Sequence, residues 1–177
     1  MSSTSRLFFA LWPDSEIRHI LESSRQAIIS TDFKWVAPHN FHVTLVFLGQ
    51  VDTATAAILS QAVTDISVTP FTLTFDQLIF WSSPRILCLT CRQSTQLAFE
   101  LASALETAIA SCGLVTDRRP YIPHITLARN ARYLPEANIE PIRWNAEAFC
   151  LVKSCSTPSG VFYEVLQRWP LITPQPI

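Results

Sequence analysis

The sequence lacks an apolar run long enough to cross a membrane or to form the core of a secretory signal. Near the N-terminus, the apolar stretch that begins at Leu7 already ends at Pro13. Charge is also scarce, since charged residues make up 15% of the chain and the net charge is -1. This balance excludes nucleic-acid binding that relies on an overall positive charge, although it allows a local basic patch. We expect a cytoplasmic monomer with no membrane partner.

Lysine and cysteine are also few. Only Lys34 and Lys153 are lysines among the 13 basic residues. The others are arginines, which suit phosphate recognition, although a GC-rich genome would produce the same bias. Five cysteines are an odd number, which predicts free thiols rather than a disulfide framework. Cys88 and Cys91 would lie on opposite faces of a strand, which disfavours a shared zinc ion.

What the chain does contain is one close internal repeat. The motif His-x-Thr-Leu occurs twice, as His42-Val43-Thr44-Leu45 and as His124-Ile125-Thr126-Leu127. The β-branched and apolar residues predict a strand in each copy, and residues two apart on a strand share a face. Each strand would therefore present an imidazole and a hydroxyl together. Two such pairs facing each other would supply an acid, a base and two hydrogen-bonding hydroxyls, which suits phosphoester chemistry without a metal.

Hydrophobic periodicity divides the chain into strands and helices. Strands are predicted at residues 6–12, 42–48, 71–75, 78–81, 85–91, 124–128, 148–154 and 161–166. Helices are predicted from Asp14 or Ser15 to about Ile29, from Asp52 or Thr53 to about Ile66, and from Ser94 to Cys112. Gly49 is expected to end the first His-x-Thr strand, and the stretch before Ala148 to be a loop broken by prolines.

These elements follow the same order in two halves of the chain. From Arg6 to His42, and again from Arg85 to His124, a strand is followed by a helix, an extended lead-in and a His-x-Thr strand. We predict a duplicated, bilobal α+β fold with a pseudo-twofold axis, in which two antiparallel sheets flank a central cleft and helices lie outside. Residues 1–177 would form one domain of two intertwined lobes, with both His-x-Thr strands at the cleft.

The chain resembles the 2H phosphoesterases, and within them the bacterial RNA 2′,3′-cyclic phosphodiesterases first described as 2′-5′ RNA ligases. The resemblance covers nearly the whole chain and includes residues 6–11, 41–49, the strand from Arg85, 123–129 and 163–171. It implies RNA ends with a 2′,3′-cyclic phosphate as substrates, with tRNA halves among the candidates, and a terminal 2′-phosphate as product. Reversal on RNA ends would be 2′-5′ ligation. No metal or other cofactor is implied.

The resemblance also implies roles for individual residues. His42 would donate a proton to the leaving ribose oxygen, and His124 would be the base that activates water. Thr44 and Thr126 would hold the phosphate oxygens, and Arg129 would add positive charge.

Four arginines flank His124 in the sequence. They are Arg118, Arg119, Arg129 and Arg132. Their charge should lower the pKa of His124 relative to that of His42, which favours His124 as the neutral base.

Other functions remain open. The substrate could be another cyclic phosphate, such as ADP-ribose 1″,2″-cyclic phosphate, or the chain could bind RNA ends without turnover. A metal hydrolase is the weakest alternative, because neither motif carries a second ligand at metal-binding spacing. His19 and His39 are expected to be exposed. Five aromatic residues are candidates for stacking on bases, although their apolar surroundings favour a place in the core. They are Phe8, Trp35, Phe47, Trp81 and Tyr121.

Overall fold

The computed structural model describes residues 4–30, 32–116, 119–158 and 160–174. Within these residues the helices are α1 (Ser15–Gln26), α2 (Thr53–Ala62) and α3 (Gln96–Ser111). The strands are β1 (Thr4–Leu11), β2 (Lys34–Trp35), β3 (Val43–Asp52), β4 (Phe71–Phe75), β5 (Gln77–Trp81), β6 (Ile86–Thr90), β7 (His124–Arg129), β8 (Ile142–Ala146), β9 (Ala148–Thr157) and β10 (Gly160–Pro170). The predicted α+β class with two antiparallel sheets is confirmed.

Within the described ranges the larger sheet has eight strands, and it contains both His-x-Thr motifs. Its order is β10-β9-β1-β3-β7-β6-β5, and the short β2 pairs with β7 outside this path. The strands β4 and β8 form the second sheet. Next to the junction of β3 and β7 the order is matched on both sides, because β1-α1-β3 in one half corresponds to β6-α3-β7 in the other, while β10 extends one side only. This topology agrees with the predicted duplication.

The two halves meet where β3 pairs with β7. In the described chain this antiparallel pairing consists of one pair, Val43 with Ile125, and both side chains are fully buried. Because side chains alternate between faces, the flanking residues point away from the core. Extending the register by one residue in each direction places His42 across from Thr126, and Thr44 across from His124. The junction therefore brings all four side chains to one face of the sheet.

Local sequence explains where the helices begin and end. The Oδ1 atom of Asp14 accepts a hydrogen bond from the backbone N–H of Ile17 at 2.8 Å and caps α1. Asp52 caps α2 in the same way through the N–H of Thr55 at 3.0 Å. Gly113, with φ of 78°, follows α3. The predicted apolar stripe of α3 is buried at Leu101, Leu105 and Ile109. No helix in the described ranges is long and apolar enough to cross a membrane.

Two expectations about the strands are wrong. The strand β3 does not end at Gly49 but continues to Asp52, because Gly49 adopts φ of 74° next to a bulge in the pairing with β1. The expected loop before Ala148 contains β8, which pairs with β4. Ile142, Trp144 and Ala146 are buried in alternation along β8. This period-two pattern is typical of a strand, whereas the nearby Pro135 and Pro141 favour a loop.

Candidate active site

Each motif histidine is oriented by a backbone carbonyl two residues before it. The Nδ1 atom of His42 lies 2.7 Å from the carbonyl oxygen of Asn40, and Nδ1 of His124 lies 2.7 Å from that of Ile122. Because a carbonyl oxygen only accepts hydrogen bonds, Nδ1 carries the proton in both neutral rings. The lone pair of each ring is then on Nε2, which is the atom available for proton transfer.

The first motif also joins its histidine to its threonine. Nε2 of His42 lies 2.9 Å from Oγ1 of Thr44. The threonine hydroxyl donates this hydrogen bond when the ring is neutral and accepts it when the ring is protonated. The prediction that these two residues share a face of the strand is therefore confirmed. In the second motif, His124 and Thr126 are both half-buried on either side of the fully buried Ile125.

Asn40 fixes the segment that holds His42. Its side chain is 7% exposed, and its Nδ2 donates to the carbonyl oxygen of Val161 at 2.7 Å. Its Oδ1 accepts from the backbone N–H of Tyr163 at 3.1 Å. The side chain of Asn40 therefore pairs with one backbone donor and one backbone acceptor of β10. The backbone carbonyl of Asn40 orients His42. Sequence reasoning missed this residue, because one asparagine in a loop forms no recognisable pattern.

Aromatic rings surround the two imidazoles unequally. Phe8 and Tyr163 each lie 5.1 Å from His42 between ring centroids, and Trp12 stacks on it at 5.7 Å with an interplanar angle of 14°. Trp81 meets His124 edge to face at 4.8 Å. These rings exclude water from the imidazoles and so disfavour their positive charge.

Burial lowers the pKa of both imidazoles. That of His42 falls from 6.5 to about 4, since burial outweighs the hydrogen bond to Asn40 and the positive charges of His124 and Arg129 act in the same direction as burial. The pKa of His124 is also lowered, by burial and against the hydrogen bond to the carbonyl of Ile122. Both rings are therefore neutral at pH 7 in the ligand-free protein.

The prediction that arginines lower the pKa of His124 relative to that of His42 is wrong. The charge of Arg129 acts on His42, and burial is what lowers the pKa of His124. Antiparallel pairing explains this result, because the residues that follow Thr126 on β7 lead away from His124 and toward His42 on β3. Arg119 lines a depression beside α3, and Arg118 lies outside the described residues.

A bulge in β7 brings Arg129 to the face of the site. Leu127 is the additional residue where Thr126 pairs with Cys88 and Ala128 pairs with Leu87. Leu127 and Ala128 are both buried, whereas Arg129 is exposed. Arg129 lies three residues after Thr126, and in a regular strand this odd separation would place the two side chains on opposite faces. The additional residue of the bulge returns Arg129 to the face of Thr126.

The remaining chemical groups lie apart from this arrangement. His19 and His39 are exposed, as predicted, and His39 contacts Phe162 at 5.7 Å between ring centroids. The five cysteines all fall within the described residues and are free thiols. Among the described side chains, no group of three or more histidines, cysteines or carboxylates comes together as a metal site.

The lowered pKa of His42 predicts that stability depends on pH. Between pH 6.5 and about 4, the unfolded chain binds a proton at this residue that the folded chain does not. The free energy of unfolding should therefore be fully maintained above pH 6.5 and decrease below it, with a loss from His42 of about 3 kcal/mol once the pH has fallen to about 4. Urea unfolding of the wild type and of His42→Gln across this range measures the effect. Equal pH dependence in the two proteins would contradict it.

Comparison with known proteins identifies the family of this chain. The family model described as "LigT like Phosphoesterase" matches residues 11–88. The "RNA 2′,3′-cyclic phosphodiesterase" of Escherichia coli strain K12 is 33% identical over 174 residues, which cover 97% of this chain and 99% of that protein. The chain belongs to the LigT-like phosphoesterase family. The predicted 2H phosphoesterase membership is thereby confirmed, and the LigT-like chain is an enzyme of the cyclic phosphodiesterase class.

Solved structures agree with this assignment. Escherichia coli LigT in its apo form is 32% identical to the LigT-like chain and superposes with a TM-score of 0.86, over 97% of this chain and 100% of that one. The structure of E. coli LigT complexed with 3′-AMP is 32% identical, with a TM-score of 0.85 over 96% of this chain and 99% of the other. The fold of this LigT-like phosphoesterase is therefore that of an enzyme whose structure is known with a nucleotide bound.

Proposed function

We propose that the protein hydrolyses RNA ends that carry a 2′,3′-cyclic phosphate, with His42 and His124 as a metal-free acid and base. One observation carries the proposal: the junction of β3 and β7 places two imidazoles and two threonine hydroxyls on one face, with both Nδ1 atoms engaged by carbonyls. The E. coli relative named for this activity and the 3′-AMP complex of LigT support an RNA substrate.

The reaction transfers one proton at each imidazole. Nε2 of His124 accepts a proton from water as the water oxygen attacks phosphorus. The bond between phosphorus and the ribose 3′ oxygen breaks, and Nε2 of His42 gives its proton to that oxygen. The products are a terminal 2′-phosphate and a free 3′ hydroxyl. If a 5′ hydroxyl of RNA replaced water, the same steps would form a 2′-5′ linkage.

The charge of the substrate reconciles these roles with the low pKa of His42. An acid must be protonated when the substrate is bound, and the negative phosphate opposes the effect of burial by stabilising the imidazolium. The cyclic phosphate therefore brings the pKa of His42 back toward neutrality, while Arg129 and the two threonines share the phosphate oxygens. The assignment of donor and acceptor follows the resemblance of the chain to 2H phosphoesterases. Thr44, Thr126 and Arg129 would stabilise the charge that grows on these oxygens in the transition state.

Identification of the product end tests the proposed reaction. The wild-type protein, in EDTA, is expected to convert an oligoribonucleotide 2′,3′-cyclic phosphate to the 2′-phosphate, which phosphorus NMR distinguishes from the 3′-phosphate. ADP-ribose 1″,2″-cyclic phosphate serves as the competing substrate and is expected to react more slowly. A 3′-phosphate product, or loss of turnover in EDTA, would contradict the mechanism. Binding of the RNA end without turnover would instead support a non-catalytic module.

A further inference from the structure

The two motif histidines differ in the residue that stands across from them on the neighbouring strand. Trp12 follows β1 directly, and it lies across from His42 when the pairing of β1 with β3 is extended by one residue. On the other side of the junction, Thr90 of β6 pairs with His124. Trp12 and Thr90 therefore occupy equivalent positions in the two halves, and their side chains have unlike chemistry.

The indole of Trp12 lies face to face with the imidazole of His42. Their ring centroids are 5.7 Å apart, and their planes differ by 14°. The other two rings that contact His42 are the phenyl ring of Phe8, tilted by 42°, and the phenol of Tyr163, which meets the imidazole at 83°. Of these three rings, the indole alone is close to parallel with the imidazole. Its π face is therefore covered by the ring that exchanges a proton.

A π face acts differently on the two protonation states of an imidazole. The face of an indole carries partial negative charge and attracts a cation held within about 6 Å of its centroid. This attraction is much weaker for the neutral ring, and it is strongest where water is excluded. Burial disfavours the imidazolium of His42. Stacking on Trp12 offsets part of that cost in the state that can donate a proton.

The other groups around the two imidazoles do not create this difference. The charges of His124 and Arg129 on β7 oppose protonation of His42. The carbonyl of Asn40 favours it, but His124 receives an equivalent hydrogen bond from a carbonyl of its own segment. Trp81 meets His124 at 68°, so that the two planes cross instead of stacking. A stacked indole is therefore a feature of the His42 side.

We propose that Trp12 is a positioning residue for the reaction, because its indole face holds the imidazole of His42 and stabilises the protonated ring. This inference rests on the proposed function. It gives a physical basis for His42 as the proton donor, an assignment that otherwise follows the resemblance to 2H phosphoesterases. Thr90 offers His124 no aromatic face from the equivalent position, which suits a histidine that acts as the neutral base.

The pH dependence of kcat tests the role of Trp12. With adenosine 2′,3′-cyclic phosphate, kcat should fall as the pH rises through the pKa of His42 in the substrate complex, because only the protonated ring can donate. Trp12→Leu keeps apolar bulk and removes the π face. It is expected to move this decline to lower pH by about one unit. Trp12→Phe keeps a π face and should move it by less than about half as much.

Trp35→Leu is the matched control for this experiment. Trp35 is also half-buried, but its indole contacts Phe33 and the guanidinium of Arg25 instead of an imidazole. The decline of kcat should therefore stay at the wild-type pH in Trp35→Leu. Trp12→Met, which also lacks a π face, replaces Trp12→Leu if urea unfolding shows that the leucine variant does not fold.

The direction of the shift separates stacking from simple exclusion of water. If Trp12 only covered His42, its loss would admit water, raise the pKa of His42 and move the decline of kcat to higher pH. A decline that moves upward, or that does not move, overturns the role of Trp12.

A second measurement keeps this role separate from the proposed function. If the wild type turned over no cyclic phosphate, the proposed function would fail, and NMR of the His42 ring would still decide the role of Trp12. The protonated fraction of the ring is read from its chemical shift in ligand-free protein, at acidic pH values where both proteins stay folded. A smaller protonated fraction in Trp12→Leu than in the wild type supports stacking, and an equal or larger fraction overturns it.

Discussion

Replacing either His42 or His124 by alanine is expected to lower kcat for an RNA 2′,3′-cyclic phosphate by about 10²–10⁴-fold, the range typical of a lost general acid or base. The physical reason is that one Nε2 atom must accept a proton while the other donates one. Because the two transfers belong to one displacement, the double variant should lose far less than the product of the two single losses. Initial rates with saturating substrate measure the three effects.

The chain offers matched controls for this experiment. His19 and His39 are the other two histidines, and both are exposed. Alanine at either position should leave kcat within about twofold of the wild type, since exposed substitutions rarely disturb a structure. If His42→Ala or His124→Ala kept most of the wild-type rate, the paired-histidine mechanism would be wrong. Urea unfolding of every variant establishes that a lost rate is not a lost fold.

Replacing Asn40 by alanine should reduce both stability and turnover. The carbonyl of Val161 and the N–H of Tyr163 would lose their partners; both hydrogen bonds are partly buried, and each loss costs about 1–2 kcal/mol. The free energy of unfolding is therefore expected to fall by about 2–4 kcal/mol. Asn145→Ala is a suitable comparison, because Oδ1 of Asn145 accepts an exposed hydrogen bond from Thr72 at 2.6 Å. Its loss should reduce stability by less than about 1 kcal/mol.

The kinetic result separates a positioning role for Asn40 from a purely structural one. The backbone carbonyl that orients His42 remains in Asn40→Ala, but the side chain that anchors this segment to β10 is gone. We expect kcat to fall about tenfold while KM changes little, since a misplaced imidazole affects the chemical step more than binding. Asn40→Asp keeps the acceptor for the N–H of Tyr163 and should recover part of the rate. An unchanged kcat in Asn40→Ala would show that Asn40 serves stability alone.

The sequence allowed prediction of what depends on local pattern. Alternation and helical spacing indicated most strands and all three helices of the described residues, and the repeat of His-x-Thr indicated which strands meet. The order β1-α1-β3 and β6-α3-β7 followed from comparing the two halves of the chain. These features could be predicted because each depends on residue types at short, regular intervals.

Features that depend on long-range register could not be predicted in this way. The bulges at Leu45 and Leu127 arise from pairing with β1 and β6, and nothing in an apolar run marks which residue is additional. The carbonyls that hold the imidazoles are backbone atoms, which every residue has. The error about Arg129 has the same origin, because proximity in sequence suggested His124 whereas the antiparallel junction brings its charge to His42.

The matching element order of the two halves has a consequence for how such an enzyme could arise. A pair of identical repeats related by a twofold axis gives both imidazoles the same surroundings, so neither is distinguished as donor or acceptor. Hydrolysis of a cyclic phosphodiester has a direction, with water on one side of phosphorus and the leaving oxygen on the other. Joining both repeats in one chain lets each copy mutate independently. Asn40 anchors the segment before His42 to β10, whereas the equivalent position before His124 is Ile122, and this difference records that divergence.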